Sequence, residues 1–125
     1  MTEHMPDRET LERIRNDSPE GPIVLLNLIK YREGGRDAFQ RYGAITGTLI
    51  GEAGGKLIFA GKAGPVLTGS DVAWDDVLIV RFPSAEKFLG MIESDTYTQE
   101  AAPIRAGALE ATLWMAMNPF PGFEA

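Results

Sequence analysis

Two segments of this chain are apolar at almost every position. Residues Ile23–Tyr31 carry aliphatic side chains at both odd and even positions, interrupted by Asn27, and residues 77–82 repeat the pattern around Arg81. Successive side chains of a strand point to opposite faces of a sheet, so apolar residues at both parities indicate a strand buried on both sides. We predict that these two segments are the central strands of a sheet.

The segments between the strands show the period of a helix. Apolar residues recur at three- and four-residue steps over 36–53, and Ser84 is a typical N-cap for a helix that runs to about residue 93. A second helical piece is predicted from Thr96, and Pro103 should kink or restart it because proline has no N–H to donate. A short helix at about 7–16 precedes the first strand.

Two further strands, Lys56–Lys62 and Leu109–Met117, complete the order of elements. In the last strand, one parity is apolar, and the other carries Glu110, Thr112 and Trp114. The order β-α-β-β-α-β is that of the ferredoxin-like unit, an α+β fold whose antiparallel sheet carries both main helices on one face. We predict one domain over 1–125, with its core at 22–117.

The predicted helices cover only one face of this sheet, yet its central strands are apolar on both faces. A large contiguous apolar face is unusual on the surface of a monomeric protein. A second copy of the same sheet is the simplest cover. We therefore predict a homodimer that is built sheet to sheet.

Three glycines, Gly43, Gly47 and Gly51, lie four residues apart along the predicted helix 36–53. This spacing places them on one side of the helix. One interpretation is close packing of that side against another backbone, and the other is that these are tolerated surface glycines. The sequence favours neither.

Composition excludes several classes of function. A formal net charge of −6 disfavours binding to nucleic acid or to anionic membranes. Without cysteine there is no disulfide, thiolate nucleophile or iron–sulfur cluster. We expect no signal peptide, because the first residues lack a basic and an apolar region, and no apolar run approaches the length of a membrane span. A cytoplasmic location is the default prediction.

Several short motifs that are spread over residues 22–117 occur together in one known group of proteins. They are the run 26–35 with Tyr42-Gly43, then Trp74-Asp75, the run 81–84 with Phe88, and Tyr97 followed by Pro103 and Arg105. On these residues the chain resembles the dimeric α/β-barrel superfamily, and within it the bacterial family known as domain of unknown function thirteen-thirty. The resemblance implies a ferredoxin-like fold, a dimer and a barrel-enclosed pocket.

The resemblance leaves the reaction open, because the superfamily includes cofactor-independent monooxygenases, haem-degrading enzymes, muconolactone-isomerase-like proteins and proteins of no assigned activity. Similar sequences often carry histidine immediately before the arginine at 105, where this chain has Ile104. That departure removes a candidate acid–base group. The haem-degrading relatives also use a histidine ligand, and the only histidine here is His4. We predict no haem, no other organic cofactor and no metal.

Two polar residues interrupt the apolar strands and are the first candidates for a site. An amide buried at Asn27 needs partners, which are either the backbone or a partner subunit, or a ligand in a cavity that it lines. Arg81 shares a face with Ile79, opposite Phe82, and a buried guanidinium must be paired. Its partner is either an acid, such as Glu110 or an aspartate, or an anionic ligand.

Aromatic residues and one further arginine complete the set of candidates. Tyr31, Tyr42 and Tyr97 can supply phenolic donors and Trp74 an aromatic wall, although core packing is the commoner role of each residue type. Arg105 either caps the C-terminus of a helix, which is the favoured interpretation, or clamps an anion at the edge of the pocket.

The sequence thus indicates a small-molecule binder or a cofactor-independent enzyme, isomerase- or monooxygenase-like, with a small anionic or phenolic substrate. Asn27 and Arg81 are expected to orient this substrate, while Tyr97, Trp74 and Tyr42 shape the pocket. The alternative is a non-catalytic homodimer whose barrel is filled by its own side chains. The sequence identifies no catalytic residue and does not decide between these classes.

Overall fold

The computed structural model describes residues 5–69 and 71–124; His4 lies outside them. One four-stranded antiparallel sheet runs through the molecule in the order β2-β3-β1-β4. Its strands are β1 (Ile23–Tyr31), β2 (Lys56–Lys62), β3 (Asp76–Phe82) and β4 (Leu109–Met117). The two strands that are apolar at both parities, β1 and β3, occupy the centre, which confirms the prediction.

The helices are α1 (Arg8–Asp17), α2 (Gly35–Glu52), α3 (Ala85–Ile92) and α4 (Ala102–Ala108), with a π-helical segment (Tyr97–Ala101) directly before α4. The order of elements from β1 to β4 confirms the ferredoxin-like fold. Ser84 caps α3 as expected, since its hydroxyl accepts a hydrogen bond of 3.2 Å from the backbone N–H of Lys87. Pro103 lies in the first turn of α4, where its missing N–H has no helical partner to lose.

The strand register decides which side chains face the helices. The odd-numbered residues of β1 from Ile23 to Ile29 are buried, whereas the even-numbered residues between them are only half-buried. Asn27 lies opposite Leu78 of β3 and Trp114 of β4, so these three side chains share the face that the helices cover. The core beneath the helices includes Phe82, Phe88, Leu89 and Leu109.

The opposite face of the sheet, which we call the open face, is not covered by any helix of the described residues. Phe59, Leu113 and Met115 on this face expose 51%, 40% and 45% of their surface. Arg81 lies here too, opposite Val24 on one side and Lys56 on the other. The open face is therefore the large apolar surface that the sequence predicts.

A close contact between backbones fixes α4 against the end of β1. The N–H of Arg32 donates to the carbonyl of Ala108 at 2.9 Å, and a methyl group at Gly35 would overlap that same carbonyl oxygen. Only glycine fits this junction, and α4 is thereby held where its side chains reach under the sheet. Among the helices in the part of the chain that the structure describes, none combines the length and hydropathy needed to cross a membrane.

Candidate functional site

Arg105 of α4 lies at the centre of a buried polar cluster. Its surface is fully buried, and its Nη2 donates to the Oδ1 atom of Asn27 at 2.9 Å and to the Oγ1 atom of Thr112 at 3.2 Å. The guanidinium carbon lies 4.2 Å from the ring centroid of Trp114, a cation–π contact. Burying this cation requires hydrogen bonds to compensate for the lost water, and these neighbours supply them.

Two tyrosines extend this cluster towards α2. The hydroxyl oxygens of Tyr42 and Tyr97 lie 2.8 Å apart, and Arg105 also hydrogen-bonds the Tyr42 hydroxyl. Burial raises the pKa of Tyr42, although the charge of Arg105 and these hydrogen bonds oppose the increase. Burial likewise raises the pKa of Tyr97 well above its ordinary value. Both phenols therefore keep their protons at neutral pH. The Arg105 cluster consists of Asn27, Tyr42, Tyr97, Arg105, Thr112 and Trp114.

A cavity of about 470 Å³ lies between the sheet and α2, and Asn27, Tyr42 and Trp114 of the Arg105 cluster contribute to its wall. This volume is in the range of small-molecule pockets, about 300–1,000 Å³. Most of the remaining wall is apolar. It includes Leu25, Phe39, Ile50, Leu78, Val80, Phe82, Phe88 and Met91. The cavity thus combines an apolar body with one polar end.

The mouth of this cavity lies between α2 and β2, where the exposed members of its wall are found. Gly43, Gly47 and Gly51 line it, and a methyl group added at any of them would meet no atom within 4 Å. The interpretation that these glycines pack closely on another backbone is therefore wrong. They are surface glycines that leave the mouth open.

Tyr31 also lines the cavity, but its hydroxyl has a different partner. It donates to the Oδ2 atom of Asp76 at 2.5 Å, and Arg36 donates to the same carboxylate oxygen at 2.9 Å. Burial and the neighbouring Asp76 carboxylate raise the pKa of Tyr31. The guanidinium of Arg36 also stacks on the Tyr31 ring, 4.6 Å from its centroid. This phenol therefore belongs to an ion-pair network at the end of β1.

The structure brings together four of the six predicted site residues and separates Arg81 and Trp74 from them. Asn27 and Tyr42 line the cavity, and Arg105, in the last turn of α4, lies directly behind them with its side chain fully buried in the core rather than at a pocket edge. Tyr97 lies behind Tyr42 and does not line the cavity. Trp74 precedes β3 and does not line it either, so its predicted role as the aromatic wall is wrong.

The expectation that Asn27 and Arg81 orient one ligand is also wrong. Arg81 pairs with Val24 in the sheet, and Val24 and Asn27 have opposite parity, so their side chains lie on opposite faces. Glu110, a predicted partner of Arg81, instead lies 3.7 Å from the Nζ atom of Lys30. Within the described residues, the Nε atom of Arg81 is buried without a hydrogen-bond partner.

Sequence analysis missed two members of the Arg105 cluster, Thr112 and Trp114. The alternation in β4 places both on one face, and the structure shows that this face packs under the helices. The Thr112 hydroxyl and the Trp114 ring then complete the surroundings of the Arg105 guanidinium. The Thr112 hydroxyl donates to the carbonyl of Leu28 at 3.1 Å and accepts from Arg105, which fixes the position of both groups.

A second cavity of about 570 Å³ lies between α1 and β4. Leu25, Phe88 and Trp114 belong to the walls of both cavities, and the rings of Phe88 and Trp114 meet edge to face at 6.0 Å. The two aromatic side chains therefore form a partition between the spaces. The cavity under α1 touches the Arg105 cluster only through Thr112 and Trp114, so we take the other cavity as the candidate site.

Comparison with known proteins identifies relatives and assigns no reaction. The model of a family described as a domain of unknown function, DUF1330, matches residues 29–118. Two crystal structures of RPA0582, a protein of unknown function from Rhodopseudomonas palustris, are similar to this chain. One is 29% identical and has a TM-score of 0.85, with 96% of this chain and 98% of the other covered. The structure of the methylated protein is 33% identical with a TM-score of 0.86, covering 98% and 99%.

More distant structures show the same fold. A protein of the dabb family from Mesorhizobium loti, described as ferredoxin-like, is 8% identical with a TM-score of 0.59, covering 80% of this chain and 98% of its own. A protein of unknown function from Bacteroides fragilis, described as dimeric and ferredoxin-like, is 13% identical with a TM-score of 0.53, covering 77% and 94%. No protein with a curated function matches the chain.

Proposed function

Because this chain belongs to the DUF1330 family, whose description assigns no reaction, we propose a function from the cavity itself: binding of a small, largely apolar organic molecule that carries an anionic or phenolic oxygen. The observation that carries this proposal is that Asn27 and Tyr42 line a largely apolar cavity, with the buried Arg105 cation hydrogen-bonded to both side chains behind them. Polar groups that converge at one end of an apolar pocket orient a ligand.

The chemistry that suits this cavity is isomerisation or oxygenation of an enolisable or phenolic molecule without a dissociable cofactor. Such reactions pass through an oxyanion, and hydrogen-bond donors in a site with little water stabilise an oxyanion strongly. The alternative is a non-catalytic homodimer. An open cavity with a polar end favours ligand binding over that alternative, because a purely structural barrel has no need for either feature.

We also propose that the open face of the sheet is covered by a second copy of this chain. Half-buried aliphatic residues of β1 and β3 form its centre, and exposed Phe59, Leu113 and Met115 continue it on both sides. The Bacteroides fragilis protein, which shares the fold, is described as dimeric, and this supports association as a dimer. A dimer of this kind leaves the helix-covered face, and the cavity mouth, away from the interface.

Thermal-shift measurements with a panel of phenols and of aromatic and aliphatic carboxylates test the binding proposal. A ligand that binds only the folded protein at 100 times its dissociation constant adds about 2.7 kcal/mol to the free energy of unfolding. We expect such stabilisation for one class in the wild-type protein and its loss in Gly47→Leu, whose side chain fills the mouth. Gly107→Leu is the matched control, since Gly107 also has open space around it and does not line the cavity.

Both glycine variants are expected to fold, because each replaces a helical glycine by a better helix former without a nearby obstacle. Binding that survives in Gly47→Leu would place the ligand elsewhere. If no compound of the panel stabilises the wild-type protein, the non-catalytic homodimer becomes the better account.

A further inference from the structure

The direction of the hydrogen bonds in the Arg105 cluster determines what its members can offer a ligand. An arginine side chain only donates, so the oxygen atoms of Asn27 and Tyr42 that contact Arg105 must be acceptors. The Asn27 amide is thereby oriented with its oxygen towards the guanidinium. Its nitrogen makes no hydrogen bond to another described residue, although Asn27 is 8% exposed and lines the cavity.

The contact between the two phenols has a preferred direction as well. Tyr97 is fully buried and does not line the cavity, and in the described part of the chain its hydroxyl has one hydrogen-bond partner, the hydroxyl of Tyr42. A buried hydroxyl proton left without an acceptor is costly. Tyr97 therefore donates to Tyr42. The oxygen of Tyr42 then accepts from both Arg105 and Tyr97, and its own proton remains for a group in the cavity.

Trp114 carries an unpaired donor that is shielded from the cavity. Its ring faces Arg105 and it belongs to the cavity wall, but its Nε1 atom is buried and has no hydrogen-bond partner among the described residues. Of the other polar side chains in the wall, the Tyr31 hydroxyl donates to Asp76, the Thr46 hydroxyl donates to the carbonyl of Tyr42 at 3.0 Å, and Gln40 lies exposed on α2.

We propose that Tyr42 is the ligand-binding donor of this cavity, and that with the Asn27 amide it holds the deprotonated oxygen of a bound phenol, enol or carboxylic acid. Arg105 and Tyr97 are positioning residues, which act on the ligand through Tyr42 and Asn27. The inference rests on the proposed function, and it adds that the site selects the oxyanion over the protonated form. The proton of the ligand passes to solvent on binding.

Local groups must provide this selectivity, because the protein as a whole opposes it. The formal net charge is −6, which disfavours an approaching anion. Among the described residues, Arg105 is the charged group that acts on Tyr42, and Tyr97 keeps its proton as a result of burial. The carboxylate of Asp76, near the far end of the cavity wall, is neutralised by its contacts with Tyr31 and Arg36.

Titration of bound 4-nitrophenol tests the proposal, because the visible absorption of its phenolate reports the protonation state directly. We expect the pKa of the bound compound to lie about one unit or more below that of the free compound, which is about a tenfold preference for the anion. Binding of nitrobenzene, which has no acidic group, reports independently whether the apolar part of the cavity accepts a ligand. The measurement in the wild-type protein alone overturns the proposal if the bound pKa is unchanged or raised.

A matched pair of variants, Tyr42→Phe and Tyr97→Phe, tests the direction of the hydrogen bond between the two phenols, since each variant loses one hydroxyl. Tyr42→Phe should lose most of the pKa shift while its affinity for nitrobenzene changes by less than about threefold. Tyr97→Phe should keep most of the shift, because the proton of Tyr42 still faces the cavity. A shift that survives in Tyr42→Phe overturns the proposal. Failure of both nitrophenol and nitrobenzene to bind the wild-type protein would overturn the proposed function as well.

Discussion

The two faces of the sheet give a polar residue in an apolar strand different surroundings. On the face under the helices, Asn27 is surrounded by a donor, a cavity and aromatic rings, and its oxygen is bound to Arg105. On the open face, Arg81 lies between Val24 and Lys56, and its Nε atom has no hydrogen-bond partner among the described residues. The covered face supplies its polar residue with a partner from the same chain, whereas the open face leaves the Nε atom of Arg81 without one among the described residues.

This difference shows that a polar residue in a buried strand is not evidence for a site until its face is known. Both residues interrupt central strands, and both looked equally suited to a ligand. The covered face gives Asn27 a pre-arranged environment within one chain. The surroundings of Arg81 are completed only when something covers the open face, for which we propose a second copy.

The largest expected effect is a difference in protein stability between variants of the two arginines. Arg105→Ala should lower the free energy of unfolding by about 3 kcal/mol or more, because it empties a fully buried site and leaves the oxygens of Asn27 and Tyr42 without their donor. Arg81→Ala, which removes a partly exposed side chain, should cost less than about 1 kcal/mol. Urea unfolding of both variants measures the difference, and equal losses would mean that the two faces are energetically alike.

A second prediction concerns association through the open face. Leu26→Lys puts a charge at the centre of this face and should raise the dimer dissociation constant by more than about 100-fold, because the ammonium group would lose its water in the interface. Ala44→Lys is the control, since it adds the same charge on exposed α2. Sedimentation equilibrium measures both constants. A dimer that tolerates Leu26→Lys uses another surface, and a monomeric wild-type protein would remove the interface altogether.

The smallest expected effect tests whether the mouth of the cavity on the covered face is empty. Gly47→Ala should stabilise the protein by up to about 1 kcal/mol, because alanine favours the helix and its methyl group meets nothing. Gly35→Ala, the same chemical change where the methyl group would overlap the carbonyl of Ala108, should destabilise it. Thermal unfolding distinguishes the signs. If Gly47→Ala is destabilising, the mouth of the cavity is more tightly packed than the structure shows.

Parity and period were sufficient to predict the sheet and its central strands, because these depend on local alternation and on the burial of apolar surface. In β4 a register shift opposite Tyr31 buries Leu109, which alternation alone does not predict. Family resemblance and element order gave the ferredoxin-like fold. The site was only partly predictable. Asn27 was found because a polar amide is costly in an apolar strand, but its partner Arg105 lies 78 residues away. No local pattern connects the two.

The glycines of α2 illustrate the same limit. Their spacing identifies one side of the helix, but whether that side meets a backbone, solvent or a cavity depends on where α2 crosses the sheet. Trp114 and Thr112 were placed together on one face of β4, but alternation did not indicate which face the helices cover, and neither residue was recognised as part of a site. Their roles follow from the direction in which Arg105 enters the core from α4.

The most direct test of the ligand cavity uses the two tryptophans, of which Trp114 lines the cavity and Trp74 does not. In a proton–nitrogen correlation spectrum of the wild-type protein, the two indole signals are assigned with Trp74→Phe, and 4-nitrophenol is then added. We predict a saturable shift of the Trp114 indole signal, because the ligand binds against the part of the wall that Trp114 forms, while the Trp74 signal stays in place. A shift confined to Trp74, or saturable binding that leaves Trp114 unchanged, would contradict the location of the site between the helices and the sheet.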